Sequence, residues 1–285
     1  MSLGLVYKNK EHIFDEMEGA VPYLSFPMFR DTGLVTDGFS TRLGGVSEGC
    51  FSSLNLSFDR GDDRAAVEEN FRRMGEALGV RCEDMVLSQQ THTTNIRIVT
   101  DEDRGKGITR ERDYTDIDGL ITNVPGICLV TTYADCVPLY FLDPVKKVIA
   151  LSHSGWRGTV GKIGKKTVEL MHDNFGSDPA DILAAVGPSV CQDCYEVSAD
   201  VTDRFKEVFD RSAWDELFYE KPDGKYQLDL WKANEKIFLE AGIREDHIAV
   251  TNVCTHCNSG ILYSHRAMGD KRGNLCAFLA LKQDM

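Results

Sequence analysis

The segment Ile127–His153, ICLVTTYADCVPLYFLDPVKKVIALSH, decides the fold class. It holds three apolar runs of strand length, 127–133, 137–142 and 147–153, separated by ADC and by DPVK. Downstream, the turn SGWRG leads into a helix predicted from about 160 to 175 and stopped by Gly176. Upstream, VTDGFS at 35–40 reads as a strand that enters the glycine loop TRLGGVSEG. Val67, Phe71, Met74 and Leu78 recur at helical spacing, so 63–78 reads as an amphipathic helix, with Asp62 placed to cap it and Gly79 to end it. Further strands are expected at 84–89, 95–100, 181–186 and 247–251, and helices near 198–209 and 229–241. The terminal LCAFLAL is a last strand. Many strands with interspersed helices predict an α+β (mixed α/β) layered fold. Strand order does not follow from this pattern. No fixed-period repeat, low-complexity segment or Pro/Ser-rich linker divides the chain, which reads as one domain over 1–285.

The bulk properties exclude several classes. The 32 Lys+Arg against 45 Asp+Glu give a formal charge of −13, which repels phosphate backbones and anionic lipid. Nucleic acid and membrane are therefore not expected partners, and an anionic small substrate would need a local basic pocket. No stretch approaches the roughly 20 apolar residues of a membrane-spanning helix. The N-terminus lacks an apolar signal core. With no secretion signal, nine dispersed cysteines read as reduced thiols or metal ligands, and the expected location is cytoplasmic.

Three polar residues stand where apolar strands end: His92 in SQQTHTTN, Cys136 in TYADCVPL and His153 at the close of KVIALSH. A thiolate with two imidazoles suits zinc and is acceptable to copper, and three protein ligands leave a fourth position open. The gaps of 43 and 16 residues are unlike the close ligand pairs of a zinc finger. Asp135, beside Cys136, is a candidate to orient a ligand or a substrate hydroxyl. Taken singly, each residue reads more simply as a satisfied histidine or a buried thiol.

The segments QQTHT, DGLITNVPGICLVTTYADCVPLYFLDP, ALSHSGWRG, GPSVCQDCYEV and YSHRAMGDKRG, in this order, resemble the YfiH/YlmD-type laccase-domain family. The likeness runs from TRLGGVSEG to the C-terminal strand. ADC and HSGWRG (more often HAGWRG in the family) are its most specific parts. QQTHT departs from the more usual QVH followed by Gly. The resemblance implies a four-layer α/β/β/α sandwich and a metal bound by His92, Cys136 and His153. It also implies phosphorolysis of adenosine, inosine, guanosine and methylthioadenosine, with adenosine deamination as a side activity. Members have also been called polyphenol oxidases. A multicopper centre, however, draws largely on His-x-His pairs, and none of the seven histidines here forms one. A single copper with weak phenol oxidation remains an alternative.

Phosphorolysis needs a cationic phosphate site and groups that hold the ribose while positive charge develops on the sugar. Arg42 in STRLGGVS and Arg266 in YSHRAMGDKRG are candidates for phosphate, and Asn55 in SSLNLS for a ribose hydroxyl. Each is also readable as a surface ion pair or a turn. The nucleobase deaminase signature, His-x-Glu with Pro-Cys-x-x-Cys, is absent. Two other classes stay open. One is a metal-free cysteine hydrolase with Cys136 as nucleophile and His153 as base. The other is a closed structural metal site completed by His265 or His256. The partner implied is a small molecule, and the chain is expected to be a monomer or weak homo-oligomer. Two Cys-x-x-Cys pairs, Cys191/Cys194 and Cys254/Cys257, could together make a four-cysteine zinc site, but they lie 59 residues apart, against about 15–20 in common zinc ribbons, so free thiols are expected there.

Overall fold

The computed structural model describes residues 3–283. Its strands, in chain order, are β1 (Asp15–Met17), β2 (Tyr23–Ser25), β3 (Val35–Ser40), β4 (Met85–Leu87), β5 (Ile96–Ile98), β6 (Gly119–Thr122), β7 (Cys128–Tyr133), β8 (Val137–Asp143), β9 (Val148–Ser154), β10 (Leu183–Val186), β11 (Glu196–Val197), β12 (Phe218–Glu220), β13 (Tyr226–Leu228), β14 (Ile248–Val250) and β15 (Leu275–Leu281). The helices are α1 (Pro27–Arg30), α2 (Arg64–Leu78), α3 (Trp156–Val160), α4 (Ile163–Phe175), α5 (Ala199–Val208), α6 (Trp214–Leu217), α7 (Leu230–Glu240) and α8 (His265–Met268). One six-stranded sheet runs β1-β2-β3-β15-β7-β4 and a second runs β14-β10-β8-β9-β6-β5. A small sheet, β11-β13-β12, stands apart.

Side-chain alternation assigns the layers. In β15, Leu275, Ala277, Leu279 and Leu281 face one side, while Cys276, Phe278 and Ala280 face the other. The first set meets Tyr140, Leu142, Ile149 and Leu151 of the second sheet, forming the core between the sheets. The opposite set packs under Val67, Phe71 and Met74 of α2. On the far face of the second sheet, Val137, Leu139, Phe141, Val148 and Ala150 pack with Val168 and Met171 of α4 and Ile237 and Phe238 of α7. The order of layers is therefore helix, sheet, sheet, helix. Both faces of the central strands are covered, which is why β7, β8 and β9 read as almost continuous apolar runs rather than alternating ones.

Strands β1, β2, β6 and the small sheet lie where the sequence suggested none, and two of the expected features differ. The cap of α2 is Asp63, whose carboxylate accepts from the Ala65 N–H. Asp62 is instead turned to the Ser47 hydroxyl and the Asn55 amide. The helix expected from 160 to 175 is two helices, because the chain breaks at Gly161 and at Lys162, whose φ is 53°.

The connections β4→β5, β7→β8 and β14→β15 each pass from one sheet to the other. Strand directions put all three at the same end. β4 runs parallel to β7, β15 starts opposite the end of β7, and β10 and β14 run parallel to each other and end beside the start of β8. His92 lies on the first connection, Cys136 on the second, and β9 delivers His153 to that end from within the second sheet.

Candidate metal and substrate site

His153 is buried at the end of β9 and its main chain is held by the Asp118 carbonyl, 2.7 Å from the His153 nitrogen. Its Nδ1 donates to Asp118 Oδ1 at 2.8 Å, which leaves Nε2 to face the site. The same carboxylate accepts the backbone N–H groups of Thr91, His92 and Thr93 at 3.1, 3.0 and 2.9 Å. Those bonds hold His92 in a left-handed conformation, φ 67°, that a non-glycine residue seldom adopts unless its surroundings enforce it. The exposed His92 ring thereby swings over His153, with ring centroids 4.9 Å apart and nearly perpendicular. Cys136, half-buried, places Sγ 3.9 Å from His92 Nε2.

Ligand atoms of His92, Cys136 and His153 all lie within 4.8 Å of one another. With Zn–S near 2.3 Å and Zn–N near 2.0–2.1 Å, tetrahedral ligands stand roughly 3.3–3.8 Å apart, so small side-chain adjustments suffice to hold one ion. The donor set, its geometry and the outer carboxylate fit a zinc- or copper-type ion. Neither His256 nor His265 joins the cluster among the described residues.

The electrostatics of the trio are those of an ion pair. Burial alone would push the Cys136 thiol up, but the charge and hydrogen bond of His153, helped by His92, bring it down to about 6. Burial would pull His153 down, yet the Cys136 charge and the Asp118 carboxylate raise it to about 9. Burial favours a protonated Asp118, but the His153 bond and charge and the backbone N–H groups hold it below its ordinary range.

Two cavities meet at this point. One, of about 290 Å³, is lined by His92, Cys136 and His153 and by Arg60, Arg112, Arg272, Gln90 and Asn274. The other, of about 320 Å³, lies beyond Cys136 and is lined by Asp135, Val190, Tyr195, His265, Arg266 and Arg272. Arg272 borders both. Among the described residues, the buried Nε–H groups of Arg60 and Arg272 have no acceptor. Burial and then the neighbouring Arg60 charge lower the pKa of Arg272. An anion in the first cavity would sit among these guanidinium charges and relieve that repulsion.

The structure separates the residues singled out in the sequence. Arg266 lines the second cavity, its guanidinium 4.9 Å from the Tyr195 ring centre. Arg42 lines neither cavity. It binds the Ser52 and Ser259 carbonyls and lies over Tyr263. Asn55 is fully buried and lines neither cavity. Its amide donates to Asp62 and its carbonyl accepts the Asn274 N–H at 2.9 Å. Asp135, at φ 91°, accepts from the Thr255 hydroxyl at 2.6 Å and from the Arg266 N–H at 2.7 Å, so its carboxylate fastens two loops. The carboxylate that orients a ring of the trio is Asp118. Asp118 escaped notice as one of two aspartates in TDIDGL, although its place just before a strand was a usable signal. Arg60, Arg112 and Arg272 escaped because they are far apart in sequence and only the fold gathers them.

Comparison with known proteins accords with this geometry. Residues 36–282 match the family model described as multi-copper polyphenol oxidoreductase laccase. The chain is 35% identical over 253 residues to purine nucleoside phosphorylase YlmD of Bacillus subtilis (strain 168), covering 87% of this chain and 89% of that protein. It is 34% identical over 240 residues to adenosine deaminase RL5 of an unknown prokaryotic organism, covering 83% and 90%. The crystal structure of the Bacillus licheniformis hypothetical protein YfiH superposes with a TM-score of 0.89 at 34% identity, over 95% of this chain and all of that one. The matched residues 36–282 include His92, Cys136 and His153, and the chain belongs to the YfiH/YlmD laccase-domain family.

Proposed function

We propose that this protein is a metal-dependent purine nucleoside phosphorylase acting on adenosine, inosine, guanosine and methylthioadenosine, with adenosine deamination as a side activity. The observation that carries the reading is the cluster of Arg60, Arg112 and Arg272 beside the His92–Cys136–His153 trio, in a chain whose net charge is −13. An acidic protein that gathers Arg60, Arg112 and Arg272 on one cavity has the local basic pocket a phosphate co-substrate requires. The names of the B. subtilis and RL5 relatives support the two activities.

In this reading His92, Cys136 and His153 hold zinc, with copper the alternative. The ion supplies Lewis acidity where negative charge develops. Arg60, Arg112 and Arg272 bind phosphate, and Arg266 and Tyr195 border the space for the nucleoside. Asp118 sets the His153 tautomer and the His92 loop. Asp135 positions Arg266 through its backbone, and Asn55 positions Asn274. Arg42 closes the loop behind Tyr263 without reaching phosphate. The partner is a small molecule, the chain works in the cytoplasm, and it is a monomer or weak homo-oligomer. Among the described residues no helix is long and apolar enough to cross a membrane.

Purified protein incubated with inosine should release hypoxanthine and ribose-1-phosphate only when phosphate is present. Release of free ribose, or no release from any purine nucleoside, would end the phosphorylase reading. A second reading, a cysteine hydrolase, draws on the polarised Cys136–His153 pair backed by Asp118. Thiol alkylation separates the two. A ligated Cys136 reacts slowly until chelator strips the ion, whereas a free nucleophile reacts fast throughout and its activity survives chelator.

A further inference from the structure

The two Cys-x-x-Cys pairs, remote in sequence, are neighbours in the fold. β10 and β14 run parallel, in register from Ala184 opposite Ile248 to Val186 opposite Val250, and each continues into a tight turn bearing one pair. A bridge between Ser189 and Cys254 extends the pairing, and the Thr255 N–H donates to the Ser189 carbonyl at 3.1 Å. The 59-residue gap is thus the excursion through α5, α6, the small sheet and α7, and it has no bearing on how close the thiols come. All four sulfurs, of Cys191, Cys194, Cys254 and Cys257, lie within 4.8 Å of one another.

We propose that Cys191, Cys194, Cys254 and Cys257 bind one zinc ion as a closed structural site that clamps the β10 and β14 turns together. The Cys194–Cys257 sulfur separation is 3.6 Å. That is far from the roughly 2.05 Å of a disulfide. It is close to the roughly 3.8 Å edge of a tetrahedron built on Zn–S bonds of about 2.3 Å. Backbone N–H groups point at sulfur as they do toward thiolates: Cys191 N–H and Cys257 N–H donate to Cys254 Sγ at 3.3 and 3.5 Å. Four thiolates on a dication carry excess negative charge, and the Lys8 ammonium, paired with Asp193 at 3.0 Å, stands within electrostatic reach of Cys191 and Cys257. Four protein sulfurs leave no open position, so the site is structural.

What the clamp holds is the wall of the second cavity. The Val190 N–H donates to the Asp135 carbonyl at 3.0 Å, and the Thr255 hydroxyl to the Asp135 carboxylate. Both clamped turns therefore bear on the residue next to Cys136. The inference is independent of the phosphorylase reading.

The test uses the full-length double variant Cys136→Ala/His153→Ala, which removes the first site. After expression with zinc and exhaustive dialysis it should retain one zinc per chain by elemental analysis. Adding Cys194→Ser and Cys257→Ser should take zinc to zero. Cobalt loaded in place of zinc into the double variant should give strong near-ultraviolet sulfur-to-cobalt absorption and tetrahedral visible bands, and both should vanish with the serines. Should the serine variants fold poorly, Cys257→His offers a conservative check, expected to keep one equivalent of metal with a weakened sulfur band. No metal in the double variant, iron in place of zinc, a mass two or four units low from disulfides, or zinc unmoved by the serine substitutions would each overturn the proposal.

Discussion

Arg272 is the residue on which the two cavities turn. Its side chain borders both, its Nε–H lacks an acceptor among the described residues, and Arg60 sits close enough to depress its pKa. On the proposed phosphorylase reading, removing it should cost its charged hydrogen bonds to phosphate, each worth about 1.5–3 kcal/mol. Arg272→Ala is therefore expected to raise the KM for phosphate by roughly 10- to 100-fold, with metal content unchanged; steady-state kinetics at varied phosphate will show it. Asp37 illustrates a different effect. It is buried in β3 with bonds from the Ser25 hydroxyl and the Phe26 N–H, yet burial outweighs them and lifts its pKa from 3.8 to about 6. A carboxyl raised in the fold favours folding fully below its unfolded pKa and loses that contribution as pH rises through about 6. Wild-type stability should decline across that window by up to about 3 kcal/mol on this account, and Asp37→Asn should remove the decline. Urea titrations at pH 4.5 and 7.5 measure both.

At the scale of elements, the turn from β9 into α3 brings backbone against the site. A Cβ on Gly155 would stand 3.0 Å from His92 Cδ2 and 3.1 Å from Cys136 Sγ. Gly155 has ordinary helix-start backbone angles, φ −72° and ψ 178°, so alanine is tolerated by the chain itself. Gly155→Ala should leave the melting temperature level or slightly higher while weakening metal retention on the order of tenfold, as displaced metal-site neighbours do. Competition with a chromogenic chelator reads the second effect and thermal unfolding the first. Much of this scale was legible in the sequence. Spacing of Val67, Phe71, Met74 and Leu78 located α2, and the apolar runs after Ile127 located β7, β8 and β9. The break at Lys162 was not legible, since a left-handed lysine leaves no local pattern. The three residues His92, Cys136 and His153 were nameable because each interrupts or ends an apolar run. Asp118 was signalled only by its place just before β6, and the three arginines by nothing local, because their roles exist only through contacts between segments distant in sequence.

For the whole molecule, the double sheet is the main source of cohesion. Leu279, fully buried between the sheets, has neighbours that cannot collapse into its place without moving a strand. Leu279→Ala should cost about 2–5 kcal/mol of unfolding free energy, measured by denaturant midpoint. The crossings β4→β5, β7→β8 and β14→β15 give that cohesion a further meaning. Because the three side chains of the trio ride on two crossings and one strand of the second sheet, they meet only when the sheets keep their alignment. Slippage of one layer over the other would open the gap between the rings and the sulfur. An ion seated there acts as a rivet through both plates. By mass action its binding resists shearing of the layers, and looseness introduced deep in the sandwich surfaces as a leak of metal at its rim.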